Sequence, residues 1–428
     1  MNILIKSAKI IDINSKYHNK NYDILIQDEV ITHIDKIINP EKLNLKKENL
    51  VLFKQKNLHV STGWFDLHVN FGEPGFEQKE TLESGTNAAI KGGFTGVLVM
   101  PNNNPNIDNR SMVEYIKNIT SDNIIDVIPA GNITKNQKGT NIVEMHDMNK
   151  AGCNVFTDDK NSLQKNELMK IAMLYSKDTN STIMNFPIEK SLANDGNMNE
   201  GVVSTRLGIK GIPSISEEIM VDRDLNLCDY TNCKLHLSYL STKKSVDKLH
   251  IAKQNGLNVT ADVTLHNLIL TDDLVNNFDT RYKVLPPLRN SEDNNALIMG
   301  IINDTIDAIS TDHCPITDEE KKIEFDNAAF GIIGLESAFG ILVKNIVPKV
   351  SLSKLIQKIS TNPREISGLP LISVEEGQIA NLTLFDPDKE WIFNEADIKS
   401  KSNNTPFIGE KLKGKPIAII NNGKVANC

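Results

Sequence analysis

The sequence predicts an α/β protein: a (β/α)8 TIM-type barrel with a small β-sandwich domain formed by both chain ends. Three observations lead there. Short apolar runs alternate with helical segments through a middle region of about 300 residues, a size that such barrels reach with insertions. Both flanks carry strand patterns bounded by polar turns. Polar residues gather at the ends of the apolar runs, where a parallel barrel carries its chemistry.

In chain order, residues 1–54 offer short strands at 2–11 and 22–31. A matching strand-rich region, 375–428, includes runs at 381–386 and 417–424. The two ends are expected to meet in one composite domain, leaving 55–374 for the barrel. Its strands are placed at 96–100, 125–130, 154–157, 182–186, 235–240, 258–263 and 308–311, all short and rich in apolar or β-branched residues. The apolar stretch 331–343 reads as a buried helix. A doubly wound sheet is the competing topology, but no strand is followed by G-x-G-x-x-G.

With 428 residues and 39% hydrophobic content, the chain can bury a large core. A net charge of -8 without long basic runs argues against nucleic acid or an anionic membrane as the main partner. Five cysteines show no paired metal spacing and no disulfide-scaffold density, so reduced thiols are expected. The alternating start, Asn2-Ile3-Leu4-Ile5-Lys6, is too short and polar for a signal peptide or membrane span, which points to the cytoplasm.

The most informative segment is Asp66-Leu67-His68-Val69-Asn70-Phe71-Gly72-Glu73-Pro74-Gly75. Residues two apart on a strand share a face, so a His-x-His pair there holds a cation from one side. Here the pair is His-x-Asn. Further polar residues at run ends are Asn102 to Asn104, Asp158, Asp159, Asn185, Tyr239, His266, Asp312 and His313. Each also has a structural reading. His68 can hydrogen-bond a loop, the two aspartates can cap a turn, and His313 can brace a strand end.

The motifs Gly92-Gly93-Phe94-Thr95, Met100-Pro101-Asn102, Met198-Asn199-Glu200-Gly201, Val263-Thr264-Leu265-His266, Pro286-Pro287-Leu288-Arg289 and Thr311-Asp312-His313 extend this segment over almost the whole chain. Together they resemble the dihydroorotases of the amidohydrolase superfamily, of the type found in multifunctional complexes. The resemblance implies a metal-dependent barrel that interconverts carbamoyl-aspartate and dihydroorotate in pyrimidine synthesis. In such a site paired divalent cations activate a bridging water while a carboxylate shuttles the proton.

Carried over residue by residue, the resemblance gives His68, Asp158 (or its neighbour Asp159) and Asp312 as surviving metal ligands, with Asp312 also the proton shuttle. Asn70, Asn185 and Tyr239 stand in place of expected histidines, and Lys160 replaces a glycine. His236, three residues before Tyr239, is expected to point elsewhere by strand parity. Among substrate contacts Asn102 is kept. Gly72, Leu285 and Ile316 stand where an arginine, an asparagine and a histidine are expected. Each lost charged contact costs about 1.5–3 kcal/mol, so a dianionic substrate is poorly held.

Two readings follow from the resemblance. In the first, this is a pseudoenzyme with a degenerate metal site, a structural or regulatory partner. Aspartate transcarbamoylase is the candidate, since some of its families assemble with an inactive dihydroorotase-like chain. In the second it remains an active cyclic amidohydrolase with a single zinc or other divalent cation. At most one cation is expected, and a homo-oligomer is the other expected assembly.

Overall fold

The computed structural model describes residues 2–43 and 50–428. Residue 1 and residues 44–49, inside the expected 1–54 flank, lie outside the described residues. Among the described residues, eight parallel strands form the barrel wall: β1 (Trp64–Val69), β2 (Phe94–Val99), β3 (Asp126–Pro129), β4 (Val155–Phe156), β5 (Thr182–Asn185), β6 (Lys234–Leu237), β7 (Val259–Thr264) and β8 (Ala308–Ser310). Strands β1 to β3 pair in sequence, as do β4 to β8. A parallel bridge between Gly131 and Phe156 joins the two arcs, and one between Val69 and His313 closes the ring. At that closure Asn70 N–H donates to the His313 carbonyl at 2.8 Å.

Both faces of these strands are covered, so they read as continuous rather than alternating apolar runs; all six residues of β1 and all six of β2 are buried. Alternation still sorts them into layers. Val97, Val99 and Ile183 pack outward against helical residues such as Ala88, Val113 and Met169. Their neighbours Leu98 and Met184 join Phe65, Leu67 and Ala308 in a separate inner cluster that fills the barrel.

The helix Leu82–Gly92 shows how the chain turns between strands. Thr81 caps it, accepting from Ser84 N while Ser84 Oγ accepts from Thr81 N. Gly93 then ends it with φ +83°, and a Cβ there would stand 2.6 Å from the Pro416 side chain. A larger residue would push the helix off the C-terminal sheet.

Both chain ends build the small β-sandwich domain. Its strand order runs Lys424–Asn427, Lys411–Asn421, Leu382–Ile392, His59–Thr62, Asn2–Ile10, Asn21–Gln27 and Val30–Asp35, with Leu50–Phe53 also paired to Asn2–Ile10. Ile3, Ile5, Ile24, Ile26, Val60, Leu384 and Ile420 form its core. The pairing of His59–Thr62 with Leu382–Phe385 takes this sheet beyond residue 54, up to the start of β1.

Two expected elements differ. The run 22–31 is a hairpin rather than one strand: Asp28 and Glu29 adopt φ +46° and +72°, reversing the chain between Asn21–Gln27 and Val30–Asp35. The stretch 331–343 is not one helix. Ile332 bridges His313, a single helical turn covers Leu335–Ser337, and the helix proper is Ala338–Asn345. Among the described residues no helix is long and apolar enough to cross a membrane.

Candidate active site at the barrel mouth

The polar residues at the strand ends converge, but not in the expected set. His68, at the end of β1, stacks on the Tyr239 ring with centroids 4.1 Å apart, and its Nε2 lies 3.3 Å from Asp262 Oδ2. Asp262, on β7, is the hub of the inner wall. Its Oδ1 accepts from Tyr239 N at 2.8 Å and lies 3.3 Å from His236 Nε2, and its Oδ2 accepts from Ser310 Oγ at 2.5 Å. Burial alone would raise the Asp262 carboxyl, but His68 and His236 outweigh it and hold it well below the usual carboxylate range. Burial opposes charge on His68 too; the Asp262 carboxylate overcomes that and raises the imidazole, favouring an imidazolium–carboxylate pair.

His236 therefore faces the site, contrary to the parity expectation. Tyr239 has φ +60°, and this left-handed residue breaks the alternation after β6 so that residues three apart face the same interior. The same conformation recurs at Asp159 (φ +45°) and Asp312 (φ +49°), the ends of β4 and β8. Non-glycine residues held there are costly and gather at functional sites.

The two adjacent acids divide their work. Asp158 is turned away from the centre. It accepts from Ile133 N and Thr134 N, both at 2.9 Å, and from Thr134 Oγ1, so it ties down the loop after β3 instead of offering a metal ligand. Burial pushes its carboxyl up to about 6. Asp159 faces the site instead: Tyr239 OH donates to its Oδ1 at 2.9 Å and Asn102 Nδ2 to its Oδ2 at 2.5 Å. The same Asn102 amide donates to Asn70 Oδ1 at 2.8 Å, while its own Oδ1 accepts from Gln137 at 2.8 Å.

Asp312 is fully buried, and Lys160 Nζ lies 2.7 Å from its Oδ2. Burial pushes the Asp312 carboxyl up to about 6 against the pull of Lys160. Asp312 Oδ1 and His266 Nε2 are buried without a hydrogen-bond partner. His313 braces the closure, its Nδ1 accepting from Gly334 N at 3.2 Å, with its Nε2 3.4 Å from Glu80 Oε2. Asn185 is turned outward and donates to Asp224 Oδ2 at 2.6 Å.

These residues do not fit a pair of divalent cations. Both oxygens of Asp159 accept neutral donors, and Asp312 Oδ2 faces an ammonium. The Tyr239 phenol, raised well above its ordinary range by burial and by Asp159, Asp312 and Asp262, donates rather than ligates. Of the expected ligands, Asp158 is turned away, while its alternative Asp159 faces the site together with His68 and Asp312. Among the described residues the one convergent set is His68, His236 and Asp262, with donor atoms within 4.8 Å of one another. In that set both imidazoles face the Asp262 carboxylate, each Nε2 at 3.3 Å, and His68 Nε2 makes no hydrogen bond.

The cleft above, about 290 Å³, is bounded by Phe71, Phe76, Met100, Ile316 and Phe330, with Lys79 at its edge. Lys79 is itself 2.8 Å from Glu320. A Cβ on Gly72 would fall 2.4 Å from the Phe76 carbonyl oxygen, so this backbone leaves no room for a side chain at 72. Leu285 packs against Phe186, Ile188, Ile212 and Tyr239 in an apolar cluster.

Sequence reasoning missed Asp262 and misplaced His236. One signal for Asp262 was present: an isolated acid in the middle of an apolar, β-branched strand is rarely buried without a partner.

A family model described as Dihydro-orotase-like matches residues 59–245. A dihydroorotase of Thermoanaerobacter sp. (strain X514) is 40% identical over 428 residues, covering 99% of this chain and 97% of the relative. The chain belongs to the dihydroorotase family. Dihydroorotases of Caldanaerobacter subterraneus and Carboxydothermus hydrogenoformans are 39% and 38% identical, over 97% and 100% of this chain and 94% and 98% of theirs. The fold is shared more widely. An L-hydantoinase (dihydropyrimidinase) from Arthrobacter aurescens superposes with a TM-score of 0.85 at 19% identity, covering 99% of this chain and 96% of that one. A D-hydantoinase from Thermus sp. gives 0.82 at 20% identity, covering 99% and 95%. This centre thus lies in a dihydroorotase-family chain matched to its relatives along nearly its full length.

Proposed function

We propose that this chain keeps the dihydroorotase-family barrel without the family's metal-dependent ring-amide hydrolysis, and serves pyrimidine synthesis as a structural or regulatory subunit. The single observation behind this reading is the closed centre: Lys160 on Asp312, and Tyr239 with Asn102 on Asp159. Each of these carboxylates already has a hydrogen-bonded partner, and hydrolysis needs a cation to make hydroxide at neutral pH. Aspartate transcarbamoylase is the enzyme we propose as its partner, on family resemblance alone. The test is hydrolysis of dihydroorotate by the purified chain with and without added zinc. No turnover in either condition is expected. Comigration with aspartate transcarbamoylase on size exclusion tests the second half of the proposal.

A second reading, an active cyclic amidohydrolase on one cation, draws on the relatives at about 40% identity named dihydroorotase and on the unpartnered Asp312 Oδ1 and His266 Nε2. Zinc-dependent turnover in the same assay would favour it.

A further inference from the structure

The barrel mouth concentrates negative charge in a dry place. Asp159, Asp262 and Asp312 are all buried within it. Three carboxylates so placed cannot all ionise without compensation. Each has a different answer here. Asp262 has the two imidazoles, Asp159 has two neutral donors, and Asp312 has Lys160.

The Lys160 arrangement is built rather than incidental. Asp159 N–H donates to Thr157 Oγ1 at 2.9 Å, and the φ of +45° at Asp159 turns the chain so that residue 160 reaches back over the mouth. Its side chain is 18% exposed, a stem entering from the rim, while its ammonium lies 2.7 Å from Asp312 Oδ2 and 5.2 Å from the Tyr239 ring centroid. A cation over a tyrosine face is attracted by the ring. Tyr239 in turn holds Asp159, so one ammonium organises both acids.

A second, independent feature lies beside the ammonium. His266 is buried, its Nε2 has no hydrogen-bond partner, and it lies 4.0 Å from Asp312 Oδ2, while Asp312 Oδ1 is also unpartnered. An imidazole nitrogen left free in this way can ligate a cation. Carboxylate and neutral imidazole are donors that suit zinc or manganese.

We infer that Lys160 is a tethered cation standing in for a metal ion, and that its removal turns Asp312 and His266 into a divalent-cation site that the native chain lacks. The inference rests on the reading that the native centre is metal-free. A tethered ammonium needs no ion from solution and loses little freedom on docking, so it holds the mouth at any metal concentration.

The test is equilibrium dialysis of the full chain against Zn²⁺ and, separately, Mn²⁺, with melting temperature followed in parallel, for the native protein, Lys160→Ala, Lys160→Met and Lys160→Met/Asp312→Asn. We expect the native chain to bind no stoichiometric cation and its melting to ignore both ions. Lys160→Ala should bind one cation per chain, at least about tenfold more tightly than native, with its lowered melting temperature recovered on binding. The double variant should bind none and melt above Lys160→Met, because removing both charges costs less than stranding one.

Native protein carrying stoichiometric metal would overturn the metal-free reading and the inference with it. A metal-free native chain with Lys160→Ala binding no better than native would overturn the inference alone. Should the single variants fail to fold, a folded Lys160→Met/Asp312→Asn supports the charge role and an unfolded one refutes it.

Discussion

At the residue scale, the centre is a set of buried polar groups that serve as one another's partners, and each contact predicts an energy. Tyr239→Phe removes the hydroxyl that donates to Asp159 at 2.9 Å and strands a buried carboxylate oxygen. The expected loss is about 1–3 kcal/mol, read as a lower midpoint in urea unfolding with an unchanged slope. His266 gives a pH dependence with a definite sign. Its folded pKa, about 3, is below the 6.5 of a free imidazole, so between these values the unfolded chain binds the extra proton. Its contribution is complete above pH 6.5 and is lost as pH falls toward 3. Asp158 and Asp312, raised to about 6 from 3.8, act oppositely: they favour the fold most below pH 3.8, a contribution lost as pH rises through 6. The comparison that isolates His266 is therefore native protein against His266→Gln, the variant showing the smaller loss of stability between pH 6 and pH 4. Residue-level placement was only partly legible in the sequence. Parity assigned His236 outward because nothing in Leu237-Ser238-Tyr239 announces a left-handed tyrosine, and adjacent Asp158 and Asp159 could not be told apart without the φ of +45° that turns the second one inward.

At the element scale, local chemistry and tertiary fit agree closely. Strand runs between 96 and 311 were legible because strands covered on both faces are continuously apolar and short. The hairpin at Asp28-Glu29 was not, because its turn uses two residues with positive φ where Asn-Gly is the usual signal. The 331–343 stretch was over-read as helix because apolar composition alone does not distinguish the extended Ile332 bridge from the helix Ala338–Asn345. Thr81→Ala removes the hydroxyl that accepts from Ser84 N at the start of Leu82–Gly92, while the Thr81 N–H bond to Ser84 Oγ remains. Loss of that one acceptor should cost about 0.5–2 kcal/mol by thermal or denaturant unfolding, and Thr81→Ser should restore most of it.

For the whole molecule, the barrel is held by its layers and by the composite sheet that ties both chain ends together, none of which needs a metal ion. Incubation with a strong chelator should therefore leave the melting temperature unchanged, within about 1 °C. Family membership and architecture were legible because motifs along the chain mark the scaffold. What the centre does was not, since Lys160 and Asp312 are 152 residues apart and meet only in the folded barrel. Restoring Asn70→His, Asn185→His and Tyr239→His together should still fail to load metal while Lys160 remains on Asp312, and adding Lys160→Gly should permit loading, both read by metal analysis.

The most direct measurement is metal content, by inductively coupled plasma mass spectrometry, of native protein expressed in zinc-supplemented medium and purified without chelator. The closed centre predicts far less than one zinc, manganese or iron per chain. One or two tightly held ions per chain would contradict it.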